Sequence, residues 1–215
     1  MTDRKIGILG SGVVGKALAS GLAKHGYDVR IGTREPAKLA DWKKSTPGTI
    51  SIGSFAEAAQ HGPWVIVATH GEGTEAALRL AGPAHFKGKT VIDATNPLDF
   101  SHGMPPGLLF GTTDSLGERV QKLLPDAYVV KCFNTVGNAV MIDPKFAEGN
   151  PRMLIAGNDA AAKARTDALL KELGWPGALD VGGIEGARWL EALVPLWVRV
   201  GASMNTWGHA FKPVV

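Results

Sequence analysis

Gly10, Gly12 and Gly15 stand between two segments of different periodicity, and this placement constrains the chain more than any other feature of it. Before them, Lys5-Ile6-Gly7-Ile8-Leu9 is a short apolar run of strand length. After them, Val14, Leu18 and Leu22 recur at intervals of four, the spacing of one helix face. A strand, a tight turn and a helix ending near Gly26 are therefore expected. In Gly10-Ser11-Gly12-Val13-Val14-Gly15 the first glycine permits the sharp turn, the second lets backbone come close to a bound group, and the third lets helix pack on strand. The unpaired N–H groups of the first helical turn then face that group and favour an anion, as in the pyrophosphate sites of dinucleotide-binding folds.

The alternation of strand and helix continues along the chain. Strands are predicted at 27–32, 49–52, 64–68, 90–93, 128–133, 152–156 and 178–181, and helices at 36–44, 55–60, 74–81, 116–124, 160–173 and 184–207. This is the pattern of an α/β chain: a Rossmann-type doubly wound, mostly parallel sheet, followed by a C-terminal helix. Residues 1–181 are expected to form the nucleotide-binding unit and 182–215 a helical segment packing on the sheet and on a partner subunit. Between Asn96 and Thr113, a stretch with three prolines and three glycines reads as a long loop of the kind that serves as a functional lid or mobile segment.

Composition narrows the function classes. The 23 basic and 20 acidic residues are scattered without a basic stripe, which argues against nucleic acid as a partner. Glu191 and Arg199 interrupt the most apolar stretch, so no membrane span is expected. A single cysteine, Cys132, sits among apolar neighbours as an inert strand thiol, and a cytoplasmic location fits its isolation. No metal-ligand cluster, carboxylate pair or nucleophile triad stands out.

The end of the second strand bears on which dinucleotide is bound. An acid there accepts from a ribose 2′-OH, whereas this chain reads Gly32-Thr33-Arg34-Glu35-Pro36. A guanidinium at Arg34 suits a 2′-phosphate, with a hydroxyl from Thr33 and further charge from Lys38, so NADP(H) is the expected cofactor. The cofactor-binding set is then Gly10, Ser11, Gly12, Val13, Val14, Gly15, Thr33, Arg34, Lys38, Thr69, Asn96 and Pro97.

Alternation to residue 181 leaves no room for a separate helical substrate domain, so the second substrate must lie on the dinucleotide unit itself. Ligands of open α/β sheets bind at strand C-termini. That makes Thr69-His70, Asn96-Pro97 and Asn134-Thr135-Val136 the expected wall, with Asn134, Thr135 and His70 as candidate catalytic or orienting residues.

Five segments together resemble one family: the glycine turn with its strand, Gly32-Thr33-Arg34, Asp93-Ala94-Thr95-Asn96-Pro97-Leu98, Val130-Lys131-Cys132-Phe133-Asn134-Thr135, and Leu190-Glu191-Ala192-Leu193-Val194-Pro195-Leu196-Trp197. They occur in the order seen in NADPH-dependent deazaflavin (coenzyme F-420) oxidoreductases. The chain is also similar to the reductase domain of six-transmembrane ferric reductases. The resemblance implies a homodimer that moves hydride between nicotinamide and a flat deazaflavin or flavin stacked near the strand ends. Thr69-His70-Gly71-Glu72-Gly73 and Asn134-Thr135 depart from archaeal members on the acceptor side, which leaves two alternatives. One is a ferric or quinone reductase working through a loosely bound flavin; the other is a non-catalytic NADP(H) redox sensor. The last helix is apolar on several faces, including Trp189, Leu190, Leu193, Val194, Leu196 and Trp197, and a partner subunit is expected to cover part of it.

Overall fold

Side chains along a strand alternate between faces, and the central strands here are apolar on both, so the sheet requires a helical layer on each side. The computed structural model describes residues 4–214 and contains an eight-stranded sheet with that double cover. Met1–Asp3 and Val215, at the ends of the two expected units, lie outside the described residues. The strands are β1 (Lys5–Leu9), β2 (Asp28–Gly32), β3 (Ile50–Gly53), β4 (Trp64–Val67), β5 (Thr90–Asp93), β6 (Leu98–Asp99), β7 (Gly107–Leu108), β8 (Tyr128–Lys131), β9 (Met153–Gly157) and β10 (Ala178–Asp180). The helices are α1 (Val13–Lys24), α2 (Ala40–Ser45), α3 (Phe55–Gln60), α4 (Thr74–Ala81), α5 (Leu116–Leu123), α6 (Ala160–Glu172) and α7 (Ala187–Met204).

The sheet order is β10-β9-β8-β5-β4-β1-β2-β3. Neighbours pair in parallel except β8 and β9, which are antiparallel, so the terminal pair β9-β10 runs against the rest. The fold is thus the expected doubly wound, mostly parallel Rossmann-type sheet. The chain winds outward from β1 to β3 and then returns to place β4 on the other side of β1. The two halves therefore diverge between β1 and β4, and their C-terminal ends open a crevice there.

Alternation assigns the core residues. Ile6, Ile8, Ile66, Ile92 and Val130 pack with Leu18 and Leu22 of α1 and Leu169 and Leu170 of α6. Val65, Val67, Val91 and Val129 turn the other way, against Ala58 of α3, Leu78 of α4 and Val120 of α5. Each fully buried aliphatic side chain of this kind contributes about 1.5–3 kcal/mol.

Several predicted elements differ in detail, and the strand expected over 128–133 ends at Lys131, with Phe133 left-handed (φ 68°) beyond it. The helix opened by Pro36 begins as a 3-10 turn over Pro36–Leu39 before α2. Its end is marked by the Thr46 hydroxyl, which donates to the Trp42 carbonyl at 2.6 Å. The last helix stops at Met204, three residues early, because Asn205 adopts a left-handed conformation (φ 51°) and closes it. The 96–113 stretch contains the antiparallel hairpin β6-β7, with Leu98 opposite Leu108. It is anchored where the Leu109 N–H donates to the Pro97 carbonyl at 2.8 Å. Among the described residues, no helix is long and apolar enough to cross a membrane.

Candidate active site

The glycine turn leaves β1 at Gly10, whose φ of 117° lies where only glycine sits without strain. A Cβ there would strike the Ala68 carbonyl at the end of β4, and one at Gly15 would strike the Gly10 carbonyl, so both positions are set by backbone packing. Gly12 differs. It has ordinary extended backbone, and a Cβ built on it meets no atom of the protein within 4 Å. Gly12 is also the N-cap of α1, with no capping side chain and no acid in the first turn. Of the four helices that begin without a 3-10 turn, α3, α5 and α6 are capped by Ser54, Ser115 and Asp159. Of these four described helices, only α1 presents its first N–H groups without a side-chain cap, and it does so at the mouth of the crevice, where they and the helix dipole suit an anion.

From this turn a cleft of about 340 Å³ runs over the ends of β1 and β2 between Arg34 and Leu80, with Thr33, Phe55 and Thr69 also on its wall. The Ser11 hydroxyl donates to Thr33 Oγ1 at 3.0 Å, which also accepts from the Glu35 N–H at 3.2 Å, so the turn and the end of β2 are held together. Lys38 lies in the cleft but pairs with Glu35 at 2.7 Å, and that hydrogen bond holds the Glu35 carboxyl below its usual range. The pair cancels its own charge. Arg34 is exposed and makes no hydrogen bond or ion pair to another described residue, which leaves it as the available cation at this end.

A second cleft, of about 280 Å³, adjoins the first and shares Gly12, Ala68, Thr69 and His70 with it. Its walls are mostly apolar, with Val13 and Val14 on one side and Leu98 and Phe100 on the other, and with Thr95 and Asn96 from the β5 end. The rings of His70 and Phe100 lie 6.3 Å apart and tilted by 36°. Thr69 Oγ1 is 2.8 Å from Thr74 Oγ1, a bond that ties the end of β4 to the start of α4.

The remaining expected site residues are placed less directly. Pro97 is buried behind Asn96 and lines neither cleft, and Asn134 and Thr135 are buried as well. Asn134 reaches the site through Asn96: its Nδ2 donates to Asn96 Oδ1 at 3.0 Å and to the Leu190 carbonyl at 2.9 Å.

A family model described as NADP oxidoreductase, coenzyme F420-dependent, matches residues 5–97, the part of the chain that builds most of both clefts. The F420-dependent NADP reductase of Methanocaldococcus jannaschii is 31% identical over 222 residues, an alignment covering 97% of each chain. The chain belongs to this family. A solved structure from Arthrobacter sp. FB24, provisionally assigned as an F420-dependent NADP-reductase, superimposes with a TM-score of 0.93 at 43% identity and covers 98% of this chain and 99% of that one. The metalloreductase STEAP3 of Rattus norvegicus is 31% identical over 199 residues, which are 90% of this chain but 38% of that protein.

Within this F420-dependent family fold, three charged residues escaped the reading of the sequence as functional groups. Lys131 is fully buried at the end of β8 and pairs with Asp93 of β5 at 3.0 Å and with Glu191 of α7 at 2.6 Å. Burial by itself would push the Lys131 ammonium toward neutrality; the carboxylates of Asp93 and Glu191 outweigh it and hold the lysine above its usual range. Burial pushes the Glu191 carboxyl up, against the pull of Lys131. A lysine inside the apolar run Val129-Val130-Lys131-Cys132-Phe133 was the available signal, since such a residue is almost never fully buried unless paired.

Proposed function

We propose that this chain transfers hydride between NADP(H) and a deazaflavin or flavin, with the nucleotide in the larger cleft and the acceptor ring in the smaller one. The observation that carries the reading is their junction. Gly12, Thr69 and His70 wall both clefts, so ligands occupying the two would meet over the divergence of β1 and β4. The residues present suit the nucleotide. Gly12 and the uncapped first turn of α1 would hold the pyrophosphate, with Val13 and Val14 beside it, and Arg34 and Thr33 would hold the 2′-phosphate. Lys38 would neutralise Glu35, which otherwise repels that phosphate.

Bound NADPH supplies the hydride; the protein orients the two rings and excludes water. Val13, Val14, Leu98 and Phe100 form slot walls suited to a flat ring system, and Asn96 places an amide at its edge, fixed from behind by Asn134. Thr135, the residue after Asn134, is buried beside it and lines neither cleft. His70 stands at the junction, where its ring can contact either ligand. A second reading, a flavin-mediated ferric or quinone reductase, draws support from the similarity to STEAP3, of which the chain spans 38%.

Residues 1–181 then act as the nucleotide-binding unit, and 182–215 as a segment that closes over the sheet and joins a second copy. Trp189 and Leu196, seven residues apart on one face of α7, are 65% and 53% exposed, and this apolar stripe is the surface offered to the partner.

The test is oxidation of NADPH, followed by its absorbance, against a panel of deazaflavin, FMN, riboflavin and ferric chelates. Turnover with the deazaflavin or a free flavin is expected. Binding of NADPH with no turnover on any acceptor would instead leave a nucleotide sensor. Light scattering should find a dimer, and a Trp189→Glu, Leu196→Glu variant a monomer.

A further inference from the structure

Beside the smaller cleft lies a cluster of charged side chains to which hydride transfer as described assigns no task. Lys131 uses all three of its ammonium donors: on Asp93 Oδ2 at 3.0 Å, on the Thr95 carbonyl at 2.6 Å, and on Glu191 Oε1 at 2.6 Å. Asp93 Oδ1 accepts from the Thr95 N–H at 3.0 Å and from its hydroxyl at 2.6 Å. Glu191 accepts from the N–H groups of Leu116 at 2.9 Å and Gly117 at 3.0 Å, in the first turn of α5. Each carboxylate thus faces donors only, and the cluster is satisfied.

We propose that Lys131 and Glu191 are positioning residues, which hold the Thr95–Asn96 wall of the smaller cleft at the height needed for productive stacking of the acceptor ring. Thr95 is bound by the cluster at its N–H, its hydroxyl and its carbonyl, so it cannot shift without opening a buried ion pair. Asn96, the next residue, is held by Asn134, which in turn donates to the Leu190 carbonyl. Leu190 and Glu191 are consecutive on α7, so this one helix braces two consecutive wall residues. Stability alone does not account for such an arrangement. Burying charges costs so much desolvation that apolar residues of the same shape often serve a fold as well, whereas ion pairs and hydrogen bonds fix positions. A displacement of about 1 Å at a reacting centre can cost about a hundredfold in rate, which is what this bracing prevents.

The inference rests on the proposed use of the smaller cleft, and its test separates the two. Glu191→Gln keeps the shape of the side chain but sets a neutral amide against three donors. The expected result is a kcat with the acceptor lower by about tenfold or more, with the Kd for NADPH, read from nucleotide fluorescence without turnover, within about twofold of the unmodified protein. Glu191→Asp should recover part of the loss. An unaltered kcat in the folded variant, or equal losses of kcat and of NADPH affinity, would overturn the inference. Should Glu191→Gln fail to fold, Thr95→Val decides. It removes only the hydroxyl bond to Asp93, and an unchanged kcat there would overturn the inference too. An unmodified protein that bound no NADPH would refute the functional reading, and this inference with it.

Discussion

Asn96 and Asn134 exchange a reciprocal pair of hydrogen bonds: Asn96 Nδ2 donates to the Asn134 carbonyl, and Asn134 Nδ2 donates to Asn96 Oδ1, each at 3.0 Å. The pairing follows from sheet register. Asp93 of β5 lies opposite Lys131 of β8, and each asparagine stands three residues beyond its member of that pair. Replacing Asn134 by Ala removes a donor from the Leu190 carbonyl and from Asn96 Oδ1, and is expected to cost about 1–3 kcal/mol in urea unfolding. Asn134→Asp should cost more, because a carboxylate would face two acceptors in a buried site.

Gly10 and Gly12 offer a matched pair of substitutions. Gly10→Ala places a side chain at φ 117° against the Ala68 carbonyl, and should destabilise the fold by about 1–3 kcal/mol from backbone strain, with the collision adding to it. Gly12→Ala meets no protein atom and has ordinary backbone, so its stability should stay within about 0.5 kcal/mol. The same methyl stands where a pyrophosphate would lie, and NADPH affinity should fall by about tenfold or more. Thermal melts and nucleotide titrations of the two variants, run side by side, check the contrast; an unweakened Gly12→Ala would remove the pyrophosphate from this turn.

Arg34 is the cation left available at the far end of the larger cleft. Arg34→Ala should raise the Kd for NADPH by about tenfold or more, from the loss of charge-assisted hydrogen bonds worth about 1.5–3 kcal/mol, and leave NADH nearly unaffected. Ratios of kcat/KM for the two nucleotides give the answer. A parallel loss for both would place the effect elsewhere than on the 2′-phosphate.

Among the protons held more tightly in the native state than in the unfolded chain are those of Cys132 and Tyr27. Burial pushes the Cys132 thiol well above its ordinary value of 9.0. Burial, and then the hydrogen bond to Glu172, raise the Tyr27 hydroxyl from 10.0 to about 12. Where a folded pKa is raised, the stabilisation is complete below the unfolded value and is lost as pH rises beyond it. Stability should therefore decline from about pH 9 upward, and one tyrosine should titrate near 12 by absorbance. A thiol reagent at neutral pH should leave native Cys132 unmodified and react once the chain is unfolded.

Much of the architecture was legible in the sequence because it is encoded locally. The glycine spacing, the four-residue apolar period of α1 and the runs at Trp64–Val67 and Thr90–Asp93 specify their elements without reference to distant residues. The hairpin β6-β7 was not legible, since strands of two residues have no period to detect. The reversal of β9-β10 was equally hidden, because strand direction in a sheet depends on how the chain returns rather than on the strand's own residues.

The sequence by itself determined that a glycine-lined turn joins a buried strand to a helix, and that an arginine rather than an acid follows the second strand. Both are consequences of residue type at adjacent positions, where sterics and charge act over a few bonds. Tertiary structure alone decided that Asn134 reaches the cleft through Asn96, and that Lys131, Asp93 and Glu191 form one buried cluster. Those relationships join residues of β5, β8 and α7, and only the pairing of the two strands and the packing of the sheet against its last helix bring them within hydrogen-bonding distance.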